Sequence, residues 1–310
     1  VGNLALVLRK SRGTCVVLVF LLALPFYVQL WQGANLARSV VYVAIRQYER
    51  FLAGHRLSSW ELVSGAGVEV RYLPGEEDMA RLILDMAKEW YPQVWQEVGF
   101  LPGQDVVIAV HPDPISLRAA FGWGPGQEAV GVYKAGVIRL LSPRAWIYES
   151  DPEKLEQRFR SQSPLVHELT HFVLDYATNG NYPRWFSEGL AQWQEYRLTG
   201  YLWLEPGPQV EDDPYDFATI NRRLGQSEHQ ARAYRQALLM TVFLDQLTQS
   251  SGGLTGIISE LARGIPLRLA VEDRTGMSFG QYEEAWRSWV RAEDNPWRHP
   301  PRAVSSGRQR

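Results

Sequence analysis

The run His167-Glu168-Leu169-Thr170-His171 constrains this chain more than any other feature. Glu188 follows seventeen residues after the second histidine, inside Trp185-Phe186-Ser187-Glu188-Gly189-Leu190-Ala191. On a helix, residues four apart share a face, so both imidazoles point to one place. The flanking Leu165, Val166, Leu169, Phe172, Val173 and Leu174 predict a buried helix, and an ionisable trio within such a surface needs a compensating partner. Asn179-Gly180-Asn181-Tyr182-Pro183 predicts a turn, with Pro183 suited to the start of the next helix. Two antiparallel helices would then return Glu188 to His167 and His171.

Two imidazoles and one carboxylate with a position left open form a catalytic zinc set. Glu168 adjoins the first histidine and can reach the open position without ligating, the logic of the His-Glu-x-x-His signature. Third ligands of other kinds are absent. A histidine six residues after His171 would stand at Ala177, the glycine that accompanies it would stand at Leu174, and the reverse order His-x-x-Glu-His does not occur. The expected metal ligands are therefore His167, His171 and Glu188, the expected ion is Zn2+, and Glu168 is the expected general base.

With 310 residues and a net charge of −2, the chain can bury a sizeable core and carries no basic stripe. Nucleic acid is not an expected partner. Cys15 is the sole cysteine, which excludes an intrachain disulfide and a thiolate metal cluster.

Arg9, Lys10 and Arg12 precede an apolar run from Thr14 to Trp31. Its length is near the minimum for a membrane span, and the preceding charges favour an inside N-terminus. The expected organisation is a basic cytoplasmic segment over 1–13, a transmembrane anchor over 14–31, an amphipathic helical stalk over 32–54, a catalytic domain over 55–294 and a disordered tail over 295–310. The chain would then sit in the cell membrane as a single-pass protein, its catalytic domain extracytoplasmic and the lipid bilayer a partner. A cleaved signal segment and a buried helix are the competing readings of 14–31. The helix after the anchor either forms a stalk or lies across the domain.

Periodicity predicts strands at 68–72, 106–110, 129–133 and 136–141, with Lys134-Ala135 as a hairpin connection. It predicts helices at 77–98, 153–177, 184–198, 228–248, 254–262 and 278–291. The expected fold class is α+β, a small mixed β-sheet lobe followed by a helical lobe, with the metal helix at their junction.

His167 to Tyr176 resembles the active-site helix of thermolysin-like gluzincins, and Pro183 to Trp193 is similar to the second motif of the bacterial peptidase MA-like proteins, relatives of the M1 aminopeptidase catalytic domain. The resemblance covers roughly residues 68–291, with its specific part confined to 164–193. It implies a zinc metallopeptidase with a gluzincin catalytic domain and a peptide or protein substrate. The Gly-x-Met-Glu-Asn motif that binds a substrate amino terminus in M1 enzymes is missing from 129–141. Where thermolysin-like enzymes place an Asp four residues after the glutamate ligand, this chain has Gln192, whose carbonyl is expected to hold the ring N–H of a ligand histidine; Asp175 is a second candidate. The resemblance also points to Tyr234, in Ala233-Tyr234-Arg235-Gln236, as donor to the developing oxyanion, with His229 as rival.

The expected function is an endopeptidase that activates water with zinc and uses Glu168 as base. An aminopeptidase and a non-catalytic zinc-stabilised binding module are the alternatives. Strand 136–141 is expected as an exposed edge to which a peptide adds, and Gly122-Trp123-Gly124 as a rim.

Overall fold

The alternating stretch Val68–Tyr72 forms a strand that buries Val68, Val70 and Tyr72 and turns Glu69 and Arg71 outward. Four further strands join it in the computed structural model, which describes residues 36–203 and 210–297. The first lobe runs α1 (Leu36–Arg56), β1 (Glu61–Gly65), β2 (Val68–Tyr72), α2 (Glu77–Val98), β3 (Val106–His111), α3 (Pro114–Phe121), β4 (Gly131–Lys134) and β5 (Val137–Leu141). The second is helical: α4 (Pro152–Gln162), α5 (Leu165–Thr178), α6 (Arg184–Thr199), the short α7 (Ile220–Arg223), α8 (Gln230–Thr248), α9 (Gly253–Ala262), α10 (Leu267–Thr275) and α11 (Phe279–Arg291). This is the α+β arrangement of a small mixed sheet followed by helices.

The strand order is β1-β2-β3-β5-β4. β2, β3 and β5 are parallel, and the antiparallel β1 and β4 flank them. The structure corrects the expectation for 136–141. Every residue of β5 is buried, and the edge belongs to β4. The reason is the tight turn at Ala135-Gly136, both with positive φ, which folds β4 back along the outer side of β5.

One face of the sheet packs on α2 and α5, joining Val70, Ile108, Ile138 and Leu140 to Ile83, Met86, Leu169 and Phe172. The other face carries a smaller cluster in which Ala53 and Leu57, at the end of α1, meet Ala109 and Val137. Thus α1 lies across the domain, with Arg46 only 4% exposed, and residues before 55 contribute to its packing.

The helix expected over 153–177 is two helices. Ser163 is extended (φ −66°, ψ 137°), as the residue before a proline prefers, and Pro164 starts a new direction. The Ser163 Oγ accepts a hydrogen bond from Leu165 N at 3.1 Å. This break aims α5 independently of α4. By contrast Pro92 leaves α2 continuous. Helix α3 was not legible from periodicity; Asp113 caps it, accepting from Ile115 N and Ser116 N at 2.8 Å each. Asn295 and Trp297, expected in a disordered tail, are buried, and Trp297 packs on Trp193 and Tyr196.

No described helix is long and apolar enough to cross a membrane. The expected anchor at 14–31 and the basic segment before it lie outside the described residues.

Candidate metal centre

Helix α5 ends at Asn179, which takes the left-handed conformation (φ 51°), a common helix stop. The chain then reverses into α6, with Pro183 extended just before it. The reversal brings three ligand atoms together. His167 Nε2 and His171 Nε2 each lie 3.5 Å from Glu188 Oε2, and the donor atoms of the three residues all fall within 4.8 Å of one another. Zinc–ligand bonds of about 2.0–2.2 Å place tetrahedral donors roughly 3.3–3.6 Å apart. The donor set and its spacing fit Zn2+.

Two close approaches hold this geometry. Gly189 sits where α6 crosses α8, and a Cβ there would fall 2.2 Å from Thr241 Oγ1 and 2.3 Å from the Ala237 carbonyl oxygen. Only glycine lets the helix bearing Glu188 come so near α8. A Cβ on Gly131 would likewise meet Pro164 Cγ at 2.7 Å and Glu168 Oε1 at 3.1 Å, so glycine admits the edge strand beside Glu168.

Both imidazoles turn Nε2 toward the shared centre, leaving Nδ1 for supporting groups. His171 Nδ1 lies 2.8 Å from Ser187 Oγ, and His167 Nδ1 lies 3.5 Å from Glu195 Oε2. The expected partner, Gln192, does something else. Its Nε2 donates to the Glu188 carbonyl at 3.1 Å and to the Tyr234 carbonyl at 2.9 Å, tying α6 to α8. Glu195 is therefore the carboxylate that orients a ring, a role that fixes tautomer and direction. It stands seven residues after Glu188, two helical turns along the same face. That spacing in a buried helix is the signal by which it is legible; Ser187 leaves no comparable trace.

Burial alone would lower the His167 pKa, but the Glu188 and Glu195 carboxylates raise it well above the ordinary imidazole range. Burial would raise that of Glu188, and hydrogen bonds from the two histidines bring it well below the ordinary carboxylate range. Without a metal the site thus holds a proton between acids and imidazoles, in the place a cation suits.

Glu168 is 5% exposed and does not join the three ligands. Burial raises its pKa, against the pull of the two imidazoles. One oxygen, Oε2, accepts a hydrogen bond from Tyr133 N of β4 at 2.6 Å. The cleft before it is lined by Glu128, Gly131, His167, Gln192, Trp203 and Tyr234, among others. The stretch Glu128–Gly131 forms this wall, and the Gly122-Trp123-Gly124 loop takes no part in it.

Tyr234, on the first turns of α8, stands in the cleft wall with its ring edge-on to Trp203 at 5.4 Å. Burial, then the charge of Glu188, raises its pKa, so the phenol stays a donor. Arg184 links it to the ligand set: its Nε lies 3.4 Å from Glu188 Oε1, and its guanidinium also interacts with the Tyr234 side chain. His229 faces Tyr215 Oη, 3.1 Å from its Nδ1, and is not part of the cleft wall.

Asp175 is fully buried on α5, one turn beyond His171. It accepts a hydrogen bond from Tyr133 Oη and lies 3.4 Å from Arg46 Nη1 of α1. Arg46 also donates to the Asp175 carbonyl at 3.0 Å and to Asn179 Oδ1 at 2.9 Å. Tyr133 therefore connects two clusters, its hydroxyl on Asp175 and its backbone N–H on Glu168.

No protein-family model matches the chain. No curated protein matches it. Solved structures similar to it include a mutant M1 zinc metallopeptidase from Deinococcus radiodurans bound to a Tyr-Ser-Ala substrate, at 15% identity and a TM-score of 0.33, covering 75% of this chain and 51% of that one. A two-domain M1 zinc metallopeptidase mutant bound to L-arginine is similar at 15% identity and a TM-score of 0.34, with the same coverage. The chain spans about half the length of these structures.

Proposed function

We propose that this chain is a zinc-dependent peptidase, and an endopeptidase. The observation that carries the reading is the separation of roles at one spot. Three donors converge within 4.8 Å, while Glu168 stays unligated beside them, buried and held by a backbone N–H at the wall of an open cleft. A structural zinc site has no use for such a base and normally closes its fourth position.

Zinc held by His167, His171 and Glu188 would supply a lowered water pKa and polarisation of the scissile carbonyl. Glu168 takes the proton of the attacking water and passes it to the leaving amine. The Tyr234 hydroxyl donates to the oxyanion as charge develops, and Arg184 positions it. Glu195 and Ser187 keep the two imidazoles aimed by holding their Nδ1 atoms. The outer side of β4 at Gly131 offers backbone to an extended peptide, which adds there as a further strand. The anchored, extracytoplasmic setting expected from residues 14–31 belongs to this proposal too.

Glu128 at the cleft wall favours a second reading, an aminopeptidase, since an exposed carboxylate there can hold a free amine. Blocking the amino terminus of a peptide separates the two.

The test pairs zinc content with cleavage of an unbiased peptide library, in the wild type and in Glu168→Gln. Zinc in both and cleavage in the wild type alone, lost by roughly 100-fold or more in the variant, is the expected result. Zinc without cleavage in either would sink the enzymatic reading, and no zinc in the wild type would sink the site.

A further inference from the structure

Arg139 breaks the pattern of its strand. In Val137-Ile138-Arg139-Leu140-Leu141 it is a lone charge amid apolar residues, and β5 is buried along its whole length. Side chains alternate across a sheet, so Arg139 shares the face of Val137, the one covered by α1 and α3 rather than by the main core. It is 8% exposed. Among the described residues its guanidinium has no hydrogen-bond acceptor and no ion-pair partner; its Nε is enclosed without one, and its contact is the ring of Phe121, 5.6 Å from Cζ. A buried cation left this way is costly unless an anion reaches it.

The surroundings are cationic as well. Arg139 lines a cleft with Arg56 at the end of α1 and Lys134 at the end of β4. One carboxylate, Glu49, is also in the wall, and its Oε1 lies 3.4 Å from Lys134 Nζ. Three cations thus face one acid already engaged. Residues 1–35 contain no Asp or Glu.

We infer that Arg139, Lys134 and Arg56 form a binding site for a phosphate group. A guanidinium presents paired N–H donors that match phosphate oxygens, and Arg139 lines the cleft with Nε as its enclosed nitrogen. The other walls bear on where the phosphate comes from. Leu52 lines the cleft, and α1 turns an apolar face outward there, with Ile45, Tyr48 and Phe51 at 50%, 61% and 72% exposed. This is the reverse of ordinary amphipathicity: Arg46 is inside and phenylalanine outside. The sequence upstream is the apolar run Thr14–Trp31. A phospholipid supplies both a phosphate and a chain for that face, whereas free phosphate supplies the charge alone. The site lies on the face of the sheet away from the helical lobe and stands whether or not the zinc reading holds.

The experiment follows the unfolding midpoint of the full chain in a nonionic detergent, titrated with inorganic phosphate, short-chain phosphatidylglycerol or short-chain phosphatidylcholine. The expected result is a saturable rise with phosphatidylglycerol, with apparent affinity at least tenfold weaker in Arg139→Gln. A rise with inorganic phosphate as well assigns the site to the phosphate group itself; a rise with phosphatidylglycerol alone assigns it to a lipid headgroup. No saturable rise with either, or an equal rise in the variant, overturns the proposal. Should Arg139→Gln fail to fold, the double variant Arg56→Gln/Lys134→Gln, altered at exposed positions, must weaken binding at least fivefold, and unchanged binding overturns the site. Far-ultraviolet circular dichroism serves as the control for an intact fold.

Discussion

Helix α5 carries two buried ionic clusters about one turn apart, and they are built to opposite ends. The cluster of Asp175, Arg46 and Tyr133 is closed. Its charges are matched inside the protein, its carboxylate is 0% exposed, and it joins α1 to α5. The cluster of His167, His171, Glu188 and Glu195 is open. Its Nε2 and Oε2 atoms face a common point with no protein donor between them, at the wall of a cleft. Charges matched within the protein give stability and no chemistry; donors that converge on a shared point suit a cation and need supporting groups to hold them.

The closed cluster offers the largest effect. Arg46→Gln leaves Asp175 buried without its cation, and removing one partner of a buried pair costs about 3–5 kcal/mol. Chemical denaturation should show a loss of that order, with zinc retained by the folded fraction. The double change Arg46→Met/Asp175→Leu should be less damaging than the single one. A loss below about 1 kcal/mol for Arg46→Gln would mean that α1 is not part of the folded domain.

On the open side, Tyr234→Phe removes a hydroxyl and little else. If Tyr234 serves the oxyanion, kcat falls about 100- to 1,000-fold while KM and zinc content hold. A change confined to KM would make Tyr234 a binding residue instead. Glu195→Gln is the next step down. An orienting partner of a ligand histidine is worth roughly 10- to 100-fold in metal affinity, so competition with a chelator should show weaker zinc binding, and an unchanged affinity would return the orienting role to another group.

The smallest effect is a pH signature of the zinc-free protein. His167 has a raised pKa in the fold, so its contribution is complete below the ordinary imidazole value near 6.5 and is lost as pH rises through the raised one. Glu188 has a depressed pKa, so its contribution is present above its ordinary value of 4.5 and is lost as pH falls through the depressed one. The unfolding midpoint of the stripped protein should therefore be highest between these ordinary values and decline on either side. Zinc binding runs the other way on the alkaline side, strengthening as the ligands lose the protons that compete with the metal. A stripped protein that grows more stable at alkaline pH would contradict the proton-holding geometry.

Legibility differed between the clusters for a physical reason. The helix period alone puts His167 and His171 on one face, and the Asn179–Pro183 turn signals the reversal that returns Glu188. Glu195 was within reach of the same periodicity, because i and i+7 share a face. Asp175, though, pairs with Arg46, 129 residues away in sequence, and no local pattern records that. Gln192 illustrates the converse. Its spacing from Glu188 suits a ring partner, yet the close α6–α8 crossing that Gly189 permits draws it to the Tyr234 carbonyl instead.

The sequence by itself determined the donor types, their helical spacing, the α+β order of elements and the presence of an unligated Glu168, because each follows from short-range periodicity and turn chemistry. Tertiary structure alone decided which strand is the edge, that α4 and α5 take separate directions, that α1 packs its arginine inward and its apolar side outward, and that Glu195 and Ser187 hold the rings. Those outcomes depend on which distant surfaces exclude water from one another, and packing of that kind leaves no periodic trace in the chain.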